Sequence, residues 1–168
     1  IIPTDTVYGL SAIVNKENKS KISEIKKRQA NKHLIYLIEK PLDALRYVDC
    51  SFYSKDELDH LTSCWPSPLT IIFKAIGEPT IALRCPNDTW LQELIKSVDS
   101  PIFSTSANLS GSKTITDVKM IEEVFNLLVP LIVDGGYIGE VASTILDASR
   151  RPFKVVREGG YNYKEKEV

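Results

Sequence analysis

The chain has 168 residues, 43% of them hydrophobic and 26% charged, which fits one domain with a sizeable core and excludes a generally disordered chain. A formal net charge of −1 gives it no broad electrostatic pull on nucleic acid. No apolar run approaches the roughly 20 residues of a membrane span and no signal-type leader is visible, so a cytoplasmic protein without a membrane partner is expected.

Ile1 and Ile2 read as a short buried strand that delivers Thr4, Asp5, Thr6 and Tyr8 of PTDTVYGL (residues 3–10) to a sheet rim, where Gly9 lets the backbone turn. Hydroxyls in such a string either serve a ligand or cap turns, and the residues alone leave both readings open. Residues 18–28 have the spacing of a short helix, with Asn18 as N-cap and Ile22 and Ile25 inward, which places Lys26 and Arg28 at or just past its end. From Lys16 to Lys32 seven basic residues stand against Glu17 and Glu24, as either a solvated helix face or an anion site. The apolar run 34–38 suits a buried strand. A further short helix around Leu58 and Leu61 leads into WPSPLT (65–70), whose prolines end it and set a rigid turn.

Strands at 69–76 and 80–85 follow, joined near Gly77 and Pro79. Next comes a helix with Trp90, Leu91, Leu94, Ile95 and Val98 on one side, capped by Asp88 or Thr89. Pro101, Ile102 and Phe103 then run as a strand into STSANLSG (104–111), placing Ser104, Thr105, Ser106 and Asn108 at the rim where open α/β sheets bind ligands. Val118, Ile121, Val124, Phe125 and Leu128 keep helical spacing behind Thr116 as cap, and strands at 130–133, 143–147 and 153–157 complete the sheet before a frayed tail at 160–168. The pattern predicts a single domain over 1–168 of the α/β (α+β) class. Its twisted open sheet mixes parallel and antiparallel strands beneath flanking helices, because several connections are too short for crossovers.

Cys50, Cys64 and Cys85 are irregularly spaced without a CxxC pair, which argues against a disulfide framework and structural zinc. His33 and His60 share no metal-ligand spacing, no GxSxG elbow is present, and a GxxxxGK[ST] loop is absent. No metal site and no tightly bound cofactor is therefore expected, and a nucleotide would be held by side chains.

PTDTVYGL, the Lys-x-Arg at 26–28, WPSPLT, IALRCP (81–86), STSANLSG and ASTILD (142–147) follow in the order and approximate spacing of the YrdC-like family. The chain resembles these threonylcarbamoyl-adenylate synthases of tRNA modification from Pro3 to Gly159. The resemblance implies a nucleotidyltransferase that joins L-threonine, bicarbonate and ATP, presented with Mg²⁺, into threonylcarbamoyl-AMP and releases pyrophosphate. tRNA or downstream threonylcarbamoyl-transfer proteins would be further partners. It assigns Lys26, Arg28, Ser106 and Asn108 to the reacting centre, and Arg28, Lys32, Thr80, Ser106, Thr114 and Arg157 to ATP. Thr6, Arg84, Ser104 and Ser143 fall to L-threonine, with Arg84 opposite its carboxylate. Such a site works by proximity and positive charge and needs no protein nucleophile.

Three departures from the family pattern set further expectations. Gln29 and His33 replace common prolines, which makes that loop less rigid. Ser67 replaces a usual glycine, so the turn is either strained at positive φ or adjusted. The sequence starts at the first motif, so the strand and helix that precede it in the family are expected to be either trimmed or absent from a compact form, and the extra C-terminal domain of the long members is expected to be absent. Two other classes stay open: a non-catalytic RNA-binding module using the 16–32 basic stretch, and carbamoyl transfer in another pathway.

Overall fold

Apolar runs broken by Gly, Pro and Asx residues build one sheet, and the side-chain period of its strands decides what each face carries. The computed structural model describes residues 1–27 and 34–164. Among these, the strands are β1 (Gly9–Ile13), β2 (Ile35–Leu37), β3 (Leu69–Lys74), β4 (Thr80–Arg84), β5 (Ile102–Ser106), β6 (Thr144–Asp147) and β7 (Lys154–Arg157). The helices are α1 (Lys16–Ile25), α2 (Lys55–Ser63), α3 (Thr89–Ser97) and α4 (Val118–Phe125), with short 3-10 turns at Pro41–Arg46 and Cys50–Phe52. The strand order is β1-β5-β2-β4-β3-β6-β7. The β2–β4 and β3–β6 pairs are parallel and the other four antiparallel, as expected for a mixed open sheet.

One sheet face is covered by two apolar layers. Leu10, Tyr36 and Phe103 pack against Ile22 of α1 and against Ile121 and Phe125 of α4. Ile71, Phe73, Ile81, Leu83 and Leu146 pack against Leu61 of α2, Tyr53 and Trp65. Tyr36 and Phe103, register partners across β2 and β5, meet edge to face with centroids 5.0 Å apart, near the optimum for an aromatic pair. On the opposite face α3 packs through Leu91 and Ile95 against Leu37 and Ile102, with Ile2 and Ile35 at the edge of the same cluster, and part of that face lines a cavity.

Several local expectations are corrected. Ile1 and Ile2 do not form a strand: Ile2 makes a single antiparallel bridge to Gly9, and the strand begins at Gly9, near the end of the motif. Gly9 therefore opens β1 and makes no turn. Helix α1 starts earlier than 18, because Asn15 caps it by accepting from Asn18 N, while the Asn18 side chain donates back to Ile13 O. Asp117, not Thr116, caps α4, and Asp88 caps α3. Segment 130–133 is not a strand; its link to the N-terminus is made by Val133 N donating to Ile1 O and Ile1 N donating to Leu131 O. Ser67 is absent from the residues of positive φ, so the WPSPLT turn has adjusted without strain there. Tyr161 and Tyr163, expected in a loose tail, pack against the larger apolar layer. Helix α1 also ends earlier than the expected 28, at Ile25 with Lys26 as its C-cap. Residues 165–168 and the departures at Gln29 and His33 lie outside the described residues.

Candidate active site

The open part of the sheet face forms the floor of a cavity of about 360 Å³. Its walls come from the two polar strings and from the segment that enters β6. Thr6, Lys26, Arg84, Ser104, Ser106, Asn108, Thr114, Ser143 and Arg157, nine of the positions expected from the sequence, all line it. Thr80 does not. It shares the strand parity of Ala82 and Arg84 but lies at the far end of β4, in a shallow depression with Lys19, Tyr36 and Glu78, so among the described residues it is not brought together with the other nine. Arg28 and Lys32 lie outside the described residues.

Lys26 arrives at the cavity because it is the C-cap of α1, where the helix ends and Lys27 turns into the left-handed region at φ 49°. Only 3% exposed, it donates from Nζ to Ser106 O at 2.5 Å and to Asn108 Oδ1 at 3.0 Å. Ser106 Oγ also donates to Asn108 Oδ1, at 2.6 Å, while Asn108 Nδ2 donates to Ser112 O. Because an ammonium only donates, these contacts fix which end of the Asn108 amide is oxygen. Lys26, Ser106 and Asn108 thus form one rigid cluster, tied further by Ser110 N donating to Lys26 O.

Arg84 occupies the cavity from the end of β4, and both its terminal nitrogens are held by the first string. Nη1 donates to Thr6 Oγ1 at 2.8 Å and Nη2 lies 3.3 Å from Asp5 Oδ1. Thr6 is itself set by Thr4, whose Oγ1 accepts from the Thr6 and Val7 amides. Burial pulls the Arg84 pKa below its ordinary value; Asp5 opposes that shift and the like charge of Arg157 adds to it. Arginine keeps its proton in proteins, so the guanidinium acts as a fixed cation. Nε of Arg84 is buried without a hydrogen-bond partner among the described residues, a spare donor on a held cation.

Arg157 reaches the same cavity from β7, donating from Nε and Nη2 to Ser143 O at 3.0 and 2.7 Å. Burial lowers its pKa as well. Ser104 sits across from β1, where Ser11 Oγ donates to it at 3.2 Å. A Cβ at Gly9 would collide with Ser104 Oγ, so this glycine serves close approach, not backbone freedom. Sequence reasoning left Asp5 and Thr70 without a role, although both lie inside quoted motifs. Asp5 shows itself only through its pairing to Arg84, and Thr70 only through the parity that turns it to the cavity.

Fold and cavity together define a class: an open, mixed α/β sheet with buried cations and hydroxyls gathered on one face. A family model described as "Telomere recombination", the Sua5/YciO/YrdC domain, matches residues 1–159, and the chain belongs to this family. It is 30% identical over 159 residues to a threonylcarbamoyl-AMP synthase of Pseudoalteromonas translucida, covering 88% of this chain and 85% of that one. A Pyrococcus abyssi protein of the same name is 33% identical over 175 residues, covering 97% of this chain and 51% of the relative. The structure of P. abyssi Sua5 complexed with L-threonine superposes with a TM-score of 0.84 at 31% identity, over 94% of this chain and 49% of that one. E. coli YciO gives a TM-score of 0.82 at 27% identity, over 94% and 81%. The chain therefore spans about half the length of the Pyrococcus protein and most of the Pseudoalteromonas one.

Proposed function

We propose that this protein is a nucleotidyltransferase that makes threonylcarbamoyl-AMP from L-threonine, bicarbonate and Mg-ATP, the first step of threonylcarbamoyladenosine formation in tRNA. The observation that carries the reading is the convergence of Lys26, Arg84 and Arg157, from α1, β4 and β7, on one cavity beside the Ser106–Asn108 pair. Relatives that share the name threonylcarbamoyl-AMP synthase, and a similar fold holding L-threonine, supply the substrate class.

In the reaction the threonine amine adds to bicarbonate with loss of water, giving a carbamate. A carbamate oxygen then attacks the α-phosphorus while the bond to the pyrophosphate oxygen breaks. The chain's own groups hold and polarise. Arg84, locked by Thr6 and Asp5, binds the threonine carboxylate, with Ser104 and Ser143 beside the rest of the amino acid. Lys26, oriented by Ser106 and Asn108, stands by the reacting phosphate, and Arg157 and Thr114 serve the nucleotide. Preorganised cations of this kind stabilise charge that shifts along the triphosphate without reorganising at the moment of reaction.

The test is pyrophosphate release by the purified protein with bicarbonate and Mg-ATP. Release that depends on L-threonine supports the reading, and a folded protein that releases none overturns it.

A further inference from the structure

Thr70 and Ser143 stand as neighbours on the cavity face, and their hydroxyl oxygens are 2.8 Å apart. Arg157 Nη2 also donates to Ser143 Oγ, at 3.1 Å. Distance alone leaves the donor of the hydroxyl pair undecided, and the difference in exposure between the two residues selects Thr70. Thr70 is fully buried, at 0% exposure, and its hydroxyl has no partner besides Ser143 among the described residues. Either way one hydroxyl hydrogen lacks a protein acceptor: with Ser143 as donor it is that of Thr70, which has no exposed surface, and with Thr70 as donor it is that of Ser143, which keeps 3% exposure to the cavity and can meet a ligand or solvent there. Thr70 therefore donates. Ser143 Oγ then receives two hydrogen bonds, from Thr70 and Arg157, which fill both lone pairs. What remains is its own O–H, with no acceptor in the protein among the described residues.

Resting on the proposed function, we infer that Thr70 is a positioning residue that holds Ser143 as a pure hydrogen-bond donor, so that Ser143 reads an anionic oxygen of the amino-acid substrate and not its amine. An ammonium offers only donors and would meet a hydroxyl with no free lone pair, close to Arg84 and Arg157. A carboxylate or carbamate oxygen accepts the Ser143 hydrogen and is attracted by both cations. The family motif places Ser143 near the amino acid; the hydrogen count assigns which atom it contacts and makes Thr70 responsible.

The experiment measures L-threonine dissociation constants by calorimetry, with and without bicarbonate, for the unaltered protein and for T70V, T70A, T70S, S143A and T70V/S143A, with melting temperatures alongside. T70V and T70A are expected to weaken L-threonine about fivefold to tenfold, in line with the loss of one orienting hydrogen bond. T70S, which restores the hydroxyl, is expected within about twofold of the unaltered protein. T70V added to S143A should cause no further loss, because the two residues act through one atom. A loss present without bicarbonate assigns the oxygen to the carboxylate, and one that appears only with bicarbonate assigns it to the carbamate; both support the proposal. L-threonine binding that S143A weakens and T70V and T70A leave unchanged overturns it, as does additivity in the double variant. No L-threonine binding by the folded unaltered protein would overturn the proposed function, and this inference with it.

Discussion

At the scale of single residues, the site depends on a few polar atoms that each have one geometry open to them. Lys26→Met removes the cation from a cluster otherwise built of neutral groups. Threonine-dependent pyrophosphate release is expected to fall by about 10²–10³, the size of effect seen when one electrostatic stabiliser is lost, with a melting temperature close to that of the unaltered protein. Arg84→Lys keeps the charge but cannot span Thr6 and Asp5 together; the KM for L-threonine should rise about tenfold or more in steady-state assays while kcat changes less. Gly9→Ala should weaken L-threonine and destabilise the fold by about 1–3 kcal/mol in denaturant titrations, because the new methyl displaces Ser104. These positions also show what the sequence reveals at this scale. Lys26, Arg84 and the STSAN hydroxyls were legible from residue type and motif. Thr80 and Thr70 are not separable by sequence, since both are strand threonines of cavity parity, and only the extent of the cavity along β4 and β3 places Thr70 on its lining and Thr80 beyond it.

At the scale of elements, the fold was legible where an apolar run is bounded by breakers, as in residues 34–38 and 80–85, and less so where polar side chains compete for one cap. Asn15, Asn18, Thr116 and Asp117 are all suitable caps by residue type, and the backbone conformation separates them: Asn15 and Asp117 are the extended residues whose side chains accept from Asn18 N and Lys119 N, while Ile22, Ile121 and Phe125 share one apolar layer. The apolar string 130–133 looked like a strand but meets only the Ile1 backbone, which is too little for a ladder. Helix α2 carries an electrostatic consequence. Its Ser54–Glu57 capping box is extended by Arg151, which donates to both Glu57 oxygens and lies over the Phe52 and Phe153 rings. Arg151, first, and the Ser54 amide hold the Glu57 carboxyl down to about 2, against an ordinary 4.5. A carboxyl lowered by folding contributes stability above its unfolded pKa, and that contribution drains away as pH falls from 4.5 towards 2. Acid unfolding followed by circular dichroism should therefore be flatter across that window in Glu57→Gln. The difference should be small, because the pair is partly exposed to solvent and screened.

At the scale of the whole molecule, no helix among the described residues is long and apolar enough to cross a membrane. The mixed sheet order, which sequence pattern suggested only as a class, is what lets strands remote in the chain share one face. The cavity draws a lining residue from every strand: Gly9 of β1, Ser104 of β5, Ile35 of β2, Ala82 of β4, Ile72 of β3, Ile145 of β6 and Arg157 of β7. Loss of ligand binding in denaturant should therefore coincide with loss of the circular dichroism signal, where a site owned by one local segment would melt first. A substrate lodged there acts as a rivet driven through seven leaves, so its occupancy should hold the assembled sheet together, and thermal endurance in the cell would rise and fall with the supply of the small molecules it consumes.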